Sequence, residues 1–409
     1  MTSDALQLLR ERNFTTLFVA RTLALLALAF APVALAFGVL RLPGGDEVML
    51  SIIMACQLGP NVILMLFGGV IADRMPRAGV IAAGETLNGV CWLGIGLMMY
   101  VEITPLWGMC GLAALSGIAG TVVYPALAGI IPDMVKPDQL TQANSWMQGA
   151  AATSRLLGVV AAGAVVEFCG AGVALIGTGA AYLVSAVMTA TLPKKSTLAD
   201  RAESMLKQLK DGWGEFRSRE WLWVVVVCWG LMYFFFSGMV GVVGPFIAEK
   251  WLGGPLIWSY IMGGEAVGAI IGVVVAMYWR PKHPIFVGMT LSLTMCLPGI
   301  LMASWSPIWI IVVAAIPMGF GLEIFSVYWM TTMQLEVPQE SLAKVAAYDA
   351  FGSIVFGPLG LILAGPAIKW LGAHEVMLYS SVVCVVIISL GLLSKGLRTI
   401  SPNWDGQNG

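Results

Sequence analysis

Charge is scarce in this chain of 409 residues: Lys, Arg, Asp and Glu make up 11% of it, and the formal net charge is −1. Such a balance lacks the basic surface with which proteins bind nucleic acids. The seven cysteines and two histidines show neither zinc-ligand nor redox spacing, and no Gly-x-x-x-x-Gly-Lys-Ser/Thr phosphate loop occurs. We therefore predict no nucleic-acid partner, no metal, no bound cofactor, no ATP site within the chain and no catalytic residues.

Most of the sequence consists of long apolar segments. Hydrophobic residues make up 58% of the chain, and its mean hydropathy is +0.86. A helix needs about 20 apolar residues to cross about 30 Å of hydrocarbon, where a free backbone N–H or C=O finds no partner. The sequence therefore predicts an all-α membrane protein with twelve transmembrane helices. These spans, numbered 1 to 12, are residues 14–40, 48–72, 78–101, 105–131, 143–168, 171–192, 221–248, 256–279, 284–304, 307–333, 344–370 and 374–395.

Polar segments indicate the orientation and the domain boundaries. With both termini in the cytoplasm, most of the 22 Lys and Arg residues lie on the cytoplasmic side, as the positive-inside rule requires. The longest internal polar segment, 194–220, mixes basic and apolar residues and predicts an amphipathic helix on the cytoplasmic membrane surface. It divides the chain into an N-terminal six-helix bundle, 1–193, and a C-terminal six-helix bundle with a short tail, 221–409.

A weak internal repeat supports two related halves. Duplicated six-helix halves that face a central cavity are the architecture of alternating-access transporters. The repeat consists of three glycines that recur at one constant offset: Gly158, Gly163 and Gly170 as Gly360, Gly365 and Gly372.

The loop between spans 2 and 3 contains a short motif, which reads Gly68-Gly69-Val70-Ile71-Ala72-Asp73-Arg74-Met75-Pro76-Arg77. It resembles the cytoplasmic loop signature of the major facilitator superfamily, Gly-x-Leu-Ala-Asp-Arg-x-Gly-Arg. The resemblance implies two six-helix bundles related by pseudo-two-fold symmetry, and a cytoplasmic gate formed by Gly69, Asp73, Arg74 and Arg77. An anion such as Asp73 is favoured near the N-terminus of a neighbouring helix.

Eight further segments carry a more specific resemblance: Arg12-Asn13-Phe14, Ala20-Arg21-Thr22, Tyr124-Pro125-Ala126, Ile131-Pro132-Asp133, Gln142-Ala143-Asn144, Arg155-Leu156-Leu157-Gly158, Gln334-Leu335-Glu336-Val337-Pro338 and Asp349-Ala350-Phe351-Gly352-Ser353. They resemble one branch of that superfamily, the macrolide-efflux-type drug:proton antiporters. The resemblance implies a monomeric secondary transporter in a bacterial inner membrane, which exports amphiphilic, macrolide-like compounds and uses the proton gradient as its energy source.

Two departures from that branch concern proton coupling. Span 1 has Ala27 and Leu28 where members of the branch often carry Gly-Asp, so a common embedded carboxylate is missing. Span 5 lacks the proline of the antiporter motif Gly-Pro-x-x-x-Gly. Export of a siderophore or a lysolipid by the same fold is therefore an alternative. A non-transporting receptor or accessory subunit is another, although loops of a few residues leave little surface for a partner.

Ionisable residues inside the spans are candidates for proton coupling or substrate binding, because a charge at mid-membrane costs about 2.5–3.5 kcal/mol. Arg21 is expected to extend its side chain to the cytoplasmic interface. Glu85 and Asp349 have either a coupling role or a structural role as loop anchors. Glu323 follows a glycine pair in span 10, and it either binds a proton or pairs with Arg21.

Aromatic residues on the helices that line the cavity in this superfamily predict a surface for lipophilic or cationic substrates, although rings also serve as core or as interface belt. The candidates are Tyr124, Trp229, Tyr233, Phe236, Phe325 and Tyr328.

An ion pair between Arg155 of span 5 and Glu265 of span 8 is a further expectation. Both residues lie at matching depth, about 18 and about 21 Å from the cytoplasmic side at 1.5 Å per residue. Neighbouring glycines at 263, 264 and 268 would permit close approach of the two helices. The alternative leaves Glu265 in the cavity as a second proton site.

Overall fold

The computed structural model describes residues 8–72, 75–103, 105–136, 139–193 and 213–402. Within them, twelve helices are long and apolar enough to cross a membrane, and no strand occurs. This confirms the predicted all-α fold class. Spans 1 to 12 are Arg12–Arg41, Glu47–Ala72, Arg77–Tyr100, Leu106–Met134, Leu140–Cys169, Ala171–Ala190, Glu220–Leu252, Pro255–Tyr278, Pro284–Ala303, Ile308–Glu336, Gln339–Ile354 continued by Gly357–Leu371, and Ala373–Gly391.

Spans 7 and 9 are not uniform α-helices. Span 7 contains two π-helical segments, Met239–Val243 and Ala248–Leu252, separated by the α-helical turn Gly244–Ile247. Span 9 contains a 3₁₀ segment, Leu293–Cys296, which ends two residues before Pro298. Because proline has no N–H to donate and displaces the carbonyl four residues before it, local changes of helix type around Pro245 and Pro298 are expected.

The described residues group into two compact units. The first contains residues up to 193 and the start of span 8, Gly253–Ser259, and the second contains the remainder of 213–402. Most of the predicted linker, 194–212, lies outside the described residues. Its last part, 213–218, is helical, and Trp213 stacks on Phe216 at 5.8 Å between ring centroids.

Spans 3 and 6 form the closest helix contact around the buried charges of the first unit. A Cβ on Gly179 would lie 2.7 Å from the carbonyl oxygen of Gly89, and a Cβ on Gly96 would lie 2.6 Å from the backbone nitrogen of Ile176. In a membrane, such contacts between small residues replace the hydrophobic driving force between helices. The backbones are thus held at a separation that lets side chains of span 6 reach Glu85 on span 3.

Spans 8 and 10 make a comparable contact in the second unit. A Cβ on Gly268 would lie 1.8 Å from the carbonyl oxygen of Ile316, and one on Gly319 would lie 1.8 Å from that of Glu265. A Cβ on Gly264 would lie 2.6 Å from the carbonyl oxygen of Val312. Gly264 and Gly268, for which the sequence predicts a close approach of span 5, thus face span 10.

The repeated glycines Gly170 and Gly372 have the same backbone conformation. Their φ and ψ angles are 87° and 155° for Gly170, and 95° and 148° for Gly372. Each ends one span and begins the next, and each N–H donates to a carbonyl four residues earlier, that of Val166 or Ile368. Since φ in this range strains any residue with a Cβ, both sharp turns between consecutive spans require glycine.

Candidate functional site

The first unit contains a buried carboxyl group beside a guanidinium group. The carboxyl group of Glu85 on span 3 is buried, with 1% of the side chain exposed, and its Oε1 lies 3.6 Å from Nη1 of Arg21 on span 1. The sequence predicts that Arg21 reaches the cytoplasmic interface or pairs with Glu323. The guanidinium of Arg21 lies beside Glu85 instead, where a polar group offsets part of the cost of burying the cation. The structure thus brings together two of the four predicted coupling residues.

Hydroxyl groups of span 6 complete this cluster. The Oγ of Ser185 lies 2.7 Å from Oε2 of Glu85 and 2.8 Å from the carbonyl oxygen of Ala20, and Oγ1 of Thr189 lies 3.5 Å from the same carboxylate oxygen. Tyr182 lies on the same face and is 7% exposed. The sequence analysis missed these three residues. Their spacing of three and four positions, which places polar groups on one helix face, is the signal that identifies them.

Aromatic rings form a continuous row in the second unit. Trp229 of span 7 stacks on Phe325 of span 10 at 4.5 Å between centroids, and Phe325 stacks on Trp329 at 6.0 Å. Trp221, at the start of span 7, meets Trp329 edge-on at 5.5 Å. The indole nitrogen of Trp229 is buried and has no hydrogen-bond acceptor among the described residues. Phe325 and Trp329 are each 6% exposed, so the half-buried Trp229 is the ring of this row that offers stacking surface together with a polar donor.

Asp349 lies at the end of this aromatic row. The indole Nε1 of Trp329 donates to Oδ2 of Asp349 at 2.9 Å, and Oγ of Ser353 donates to Oδ1 at 3.2 Å. Within the described ranges, no Lys or Arg lies within ion-pairing distance of Asp349. Neutral donors alone hold this carboxylate, so it can interact with a cationic group of a ligand or with a proton.

The other predicted aromatic residues have different surroundings. Tyr328 is 1% exposed, packs with Ala276 and Ile324, and donates its hydroxyl proton to the carbonyl oxygen of Trp279 at 2.8 Å. It is therefore a packing residue of the second unit and not part of a cavity surface. Tyr233 and Phe236 are half-buried on span 7, and the side chain of Tyr124 lies outside the described part of the chain.

The remaining predicted carboxylates lie on the contact between spans 8 and 10. A Cβ on Gly272 would lie 3.1 Å from Cβ of Glu323, so the Cβ of Glu323 lies against span 8 of its own unit. Glu265 is buried, with 8% of its surface exposed. Arg155, its expected partner, is an exposed residue of the first unit. The ion pair between Arg155 and Glu265 stays a prediction.

The cytoplasmic gate motif is described in part. Asp73 and Arg74 lie outside the described residues, and Gly69 belongs to the helix of span 2. Arg77, at the start of span 3, donates from Nη1 to the carbonyl oxygen of Gly129 at 2.9 Å and to Oδ2 of Asp133 at 3.1 Å. Arg77 thereby joins the start of span 3 to the end of span 4.

Arg77→Gln is expected to lower the free energy of unfolding by about 1.5 kcal/mol, because it removes charge-assisted hydrogen bonds from a partly buried site. Thermal unfolding of the detergent-solubilised protein should then occur about 2–4 °C lower. Arg41→Gln is the matched control. Its ion pair with Glu167, at 2.9 Å, is about one third exposed on both sides and should contribute little. Equal melting temperatures for the two variants would contradict the assigned role of Arg77.

Comparison with known proteins identifies the family. The model of the Major Facilitator Superfamily matches residues 14–353. The chain is similar to macrolide efflux protein A of Streptococcus pyogenes, with 22% identity over 92% of this chain and 95% of that protein. It is similar to the enterobactin exporter EntS of Escherichia coli, with 21% identity over 92% of each chain. A crystal structure of a mutant of the nucleoside transporter NupG superposes with a TM-score of 0.80, at 13% identity, over 93% of this chain and all of that one.

Proposed function

The chain belongs to the major facilitator superfamily of membrane transporters, and from that premise we propose that it exports amphiphilic, macrolide-like compounds in exchange for protons. In this proposal it is a monomer of a bacterial inner membrane with both termini in the cytoplasm. Alternating access of the substrate site to the two sides of the membrane carries the substrate outward.

The aromatic row that ends on Asp349 carries the proposal. Trp229, which is half-buried, presents ring surface on which a large apolar ligand can stack, and the buried rings of Phe325 and Trp329 support it from behind. Asp349 adds a negative charge that no cation of the described residues neutralises. Both a Trp ring face and a carboxylate attract a nearby cation. The interaction of the cation with the ring alone contributes about 0.5–2 kcal/mol. The arrangement suits a molecule with an apolar body and a basic group.

Similarity to macrolide efflux protein A supports this substrate class, and similarity to EntS supports siderophore export as the second candidate. The two classes differ in charge. An exporter of siderophores, whose iron-binding groups are mostly acidic, would gain from a cation at the end of the row, whereas this chain has a carboxylate there. Asp349 therefore favours a basic amphiphile over a siderophore.

Proton coupling is proposed because several carboxylates, Glu85, Asp349, Glu265 and Glu323, lie within the spans, where each requires a partner or a function. The sequence has no phosphate-binding loop that would supply ATP energy. The proton gradient is then the energy source, and the carboxylates are the groups at which a proton can be exchanged for substrate.

The test compares cells with and without the gene for growth on erythromycin, a macrolide with a basic amine, and on ethidium, an aromatic cation. We expect the gene to increase resistance and a protonophore to abolish the increase. Everted membrane vesicles should accumulate ethidium when acidified inside. Unchanged resistance together with export of a siderophore from the same cells would favour the second candidate. Transport that persists without a proton gradient would contradict proton coupling.

A further inference from the structure

We propose that Glu85 binds the transported proton, and that the hydroxyl group of Ser185 relays the protonation state of Glu85 to the backbone of span 1. This inference rests on the proposed proton coupling and assigns it to one cluster of the first unit. The cluster consists of Glu85 on span 3, Ser185 on span 6, and Arg21 with the Ala20 carbonyl on span 1.

The two shortest contacts of Ser185 Oγ each need one hydrogen-bonding proton, and counting the protons available supports a protonated Glu85. The Oγ of Ser185 lies 2.7 Å from Glu85 Oε2 and 2.8 Å from the Ala20 carbonyl oxygen, and both separations are hydrogen-bond distances between oxygens. A carbonyl oxygen and an ionised carboxylate only accept, and a hydroxyl group donates one proton. If Glu85 is ionised, one of the two contacts has no proton. If Glu85 is protonated, Glu85 donates to Ser185 and Ser185 donates to Ala20, so both contacts are satisfied.

The position of Arg21 agrees with a neutral Glu85. Its Nη1 lies 3.6 Å from Oε1 of Glu85, which is beyond hydrogen-bond distance, and Oε1 is buried without a hydrogen-bond partner among the described residues. A charged pair at this burial would be expected to close to about 2.7–2.9 Å. The guanidinium is therefore near enough to respond to a charge on Glu85 without being bound to it.

Loss of the proton rearranges contacts on span 1. The ionised carboxylate takes the Ser185 proton for Oε2, so the Ala20 carbonyl loses its side-chain donor, and Arg21 is drawn towards Oε1. Both changes act on consecutive residues of span 1, while spans 3 and 6 stay fixed to each other through the Gly89–Gly179 contact. Protonation is thereby linked to the position of span 1 relative to spans 3 and 6.

The surroundings restrict which other groups can take part. The ionisable side chains of the described residues that interact with Glu85 are Arg21 on span 1 and the phenol of Tyr182 on span 6. Span 4 contributes the apolar side chain of Val123 next to Gly84. An ionised Glu85 therefore interacts with one cation, Arg21, and the apolar side chain of Val123 on span 4 strengthens that interaction by excluding water.

The experiment uses the full chain in proteoliposomes, with ethidium as substrate and a pH-sensitive dye inside. Glu85→Gln keeps the shape of a protonated carboxyl group and cannot release a proton. We expect loss of proton-driven ethidium accumulation and of ethidium-induced proton movement, with retained exchange of ethidium for ethidium. Glu167→Gln, which alters an exposed carboxylate of the same unit, should behave as the unaltered protein.

Infrared difference spectroscopy provides a second test, which does not require the Glu85→Gln variant to fold. The unaltered protein should show the carbonyl stretch of a protonated carboxyl group at neutral pH. Ser185→Ala should shift that band, because its hydrogen-bond acceptor is removed. Absence of the band, or a band that Ser185→Ala leaves in place, would overturn the inference. If the unaltered protein is coupled and Glu85→Gln is equally coupled, the inference fails alone, whereas an uncoupled unaltered protein refutes the proposed function.

Discussion

Asp349→Asn is expected to reduce export of ethidium by about tenfold, which corresponds to about 1.4 kcal/mol of lost interaction. Asparagine has nearly the same shape, and its carbonyl oxygen still accepts the proton of Trp329 Nε1, so the aromatic row should keep its geometry. The lost quantity is the negative charge that attracts the cation. An uncharged aromatic amphiphile of similar size should lose less than about twofold.

The measurement is initial efflux from preloaded cells, with both compounds tested on each variant. Trp329→Phe keeps a ring and removes the donor to Asp349, and it should affect the charged and the uncharged compound alike. Asp46→Asn is the control, because it makes the same substitution in a loop. Asp46 accepts a hydrogen bond from the backbone N–H of Met49 at the start of span 2. Equal losses of both compounds in Asp349→Asn would contradict cation binding and indicate a role in the proton cycle.

Gly117→Ala is expected to destabilise the first unit by about 3 kcal/mol, the upper range for overpacking. A Cβ at this position of span 4 would lie 2.0 Å from the carbonyl oxygen of Gln57 on span 2, and a backbone atom cannot move aside as a flexible side chain can. Spans 2 and 4 would have to separate, which also disturbs the hydrogen bond from Asn61 Nδ2 to the carbonyl oxygen of Gly117.

Gly111→Ala is the matched control on the same helix. A Cβ there would meet nothing within 4 Å, so the substitution should be neutral or stabilise the helix by up to about 1 kcal/mol. Unfolding followed by tryptophan fluorescence in mixed micelles with increasing denaturing detergent compares the two variants. Equal stability of Gly117→Ala and Gly111→Ala would show that spans 2 and 4 are further apart than described.

Much of the fold can be predicted from the sequence because few backbone structures can cross a membrane. Apolar runs of sufficient length must be helices, and the predicted spans agree with the observed helices to within a few residues at most ends. The turns at Gly170 and Gly372 have equivalent geometry, as the constant offset of the repeated glycines predicts. The length and the hydropathy of an apolar segment are properties of that segment alone, so they can be determined from a single sequence.

The candidate site follows from the sequence less completely, because its contacts join helices far apart in the chain. Glu85 and Arg21 stand out as charges in apolar spans, yet their pairing depends on how spans 1, 3 and 6 pack. Ser185 does not stand out by residue type, since serine is common in membrane helices, and only its spacing from Tyr182 and Thr189 on one helix face distinguishes it. The glycines beside Glu265 illustrate the same limit: their small size predicts a close neighbour, and only the three-dimensional arrangement identifies it as span 10.

The two π-helical segments of span 7 give the C-terminal part of this helix an unusual mechanical property. Each wide turn holds one residue more than an α-helical turn, so moving the surplus residue along the chain rotates everything between its old and new positions by about 100°. The short α-helical turn Gly244–Ile247 lies between two such surplus residues. It can therefore twist about the helix axis while most of its backbone hydrogen bonds re-form one position away. A shift of this kind would turn Phe246, which meets Trp251 edge-on at 5.9 Å between ring centroids, without breaking the helix.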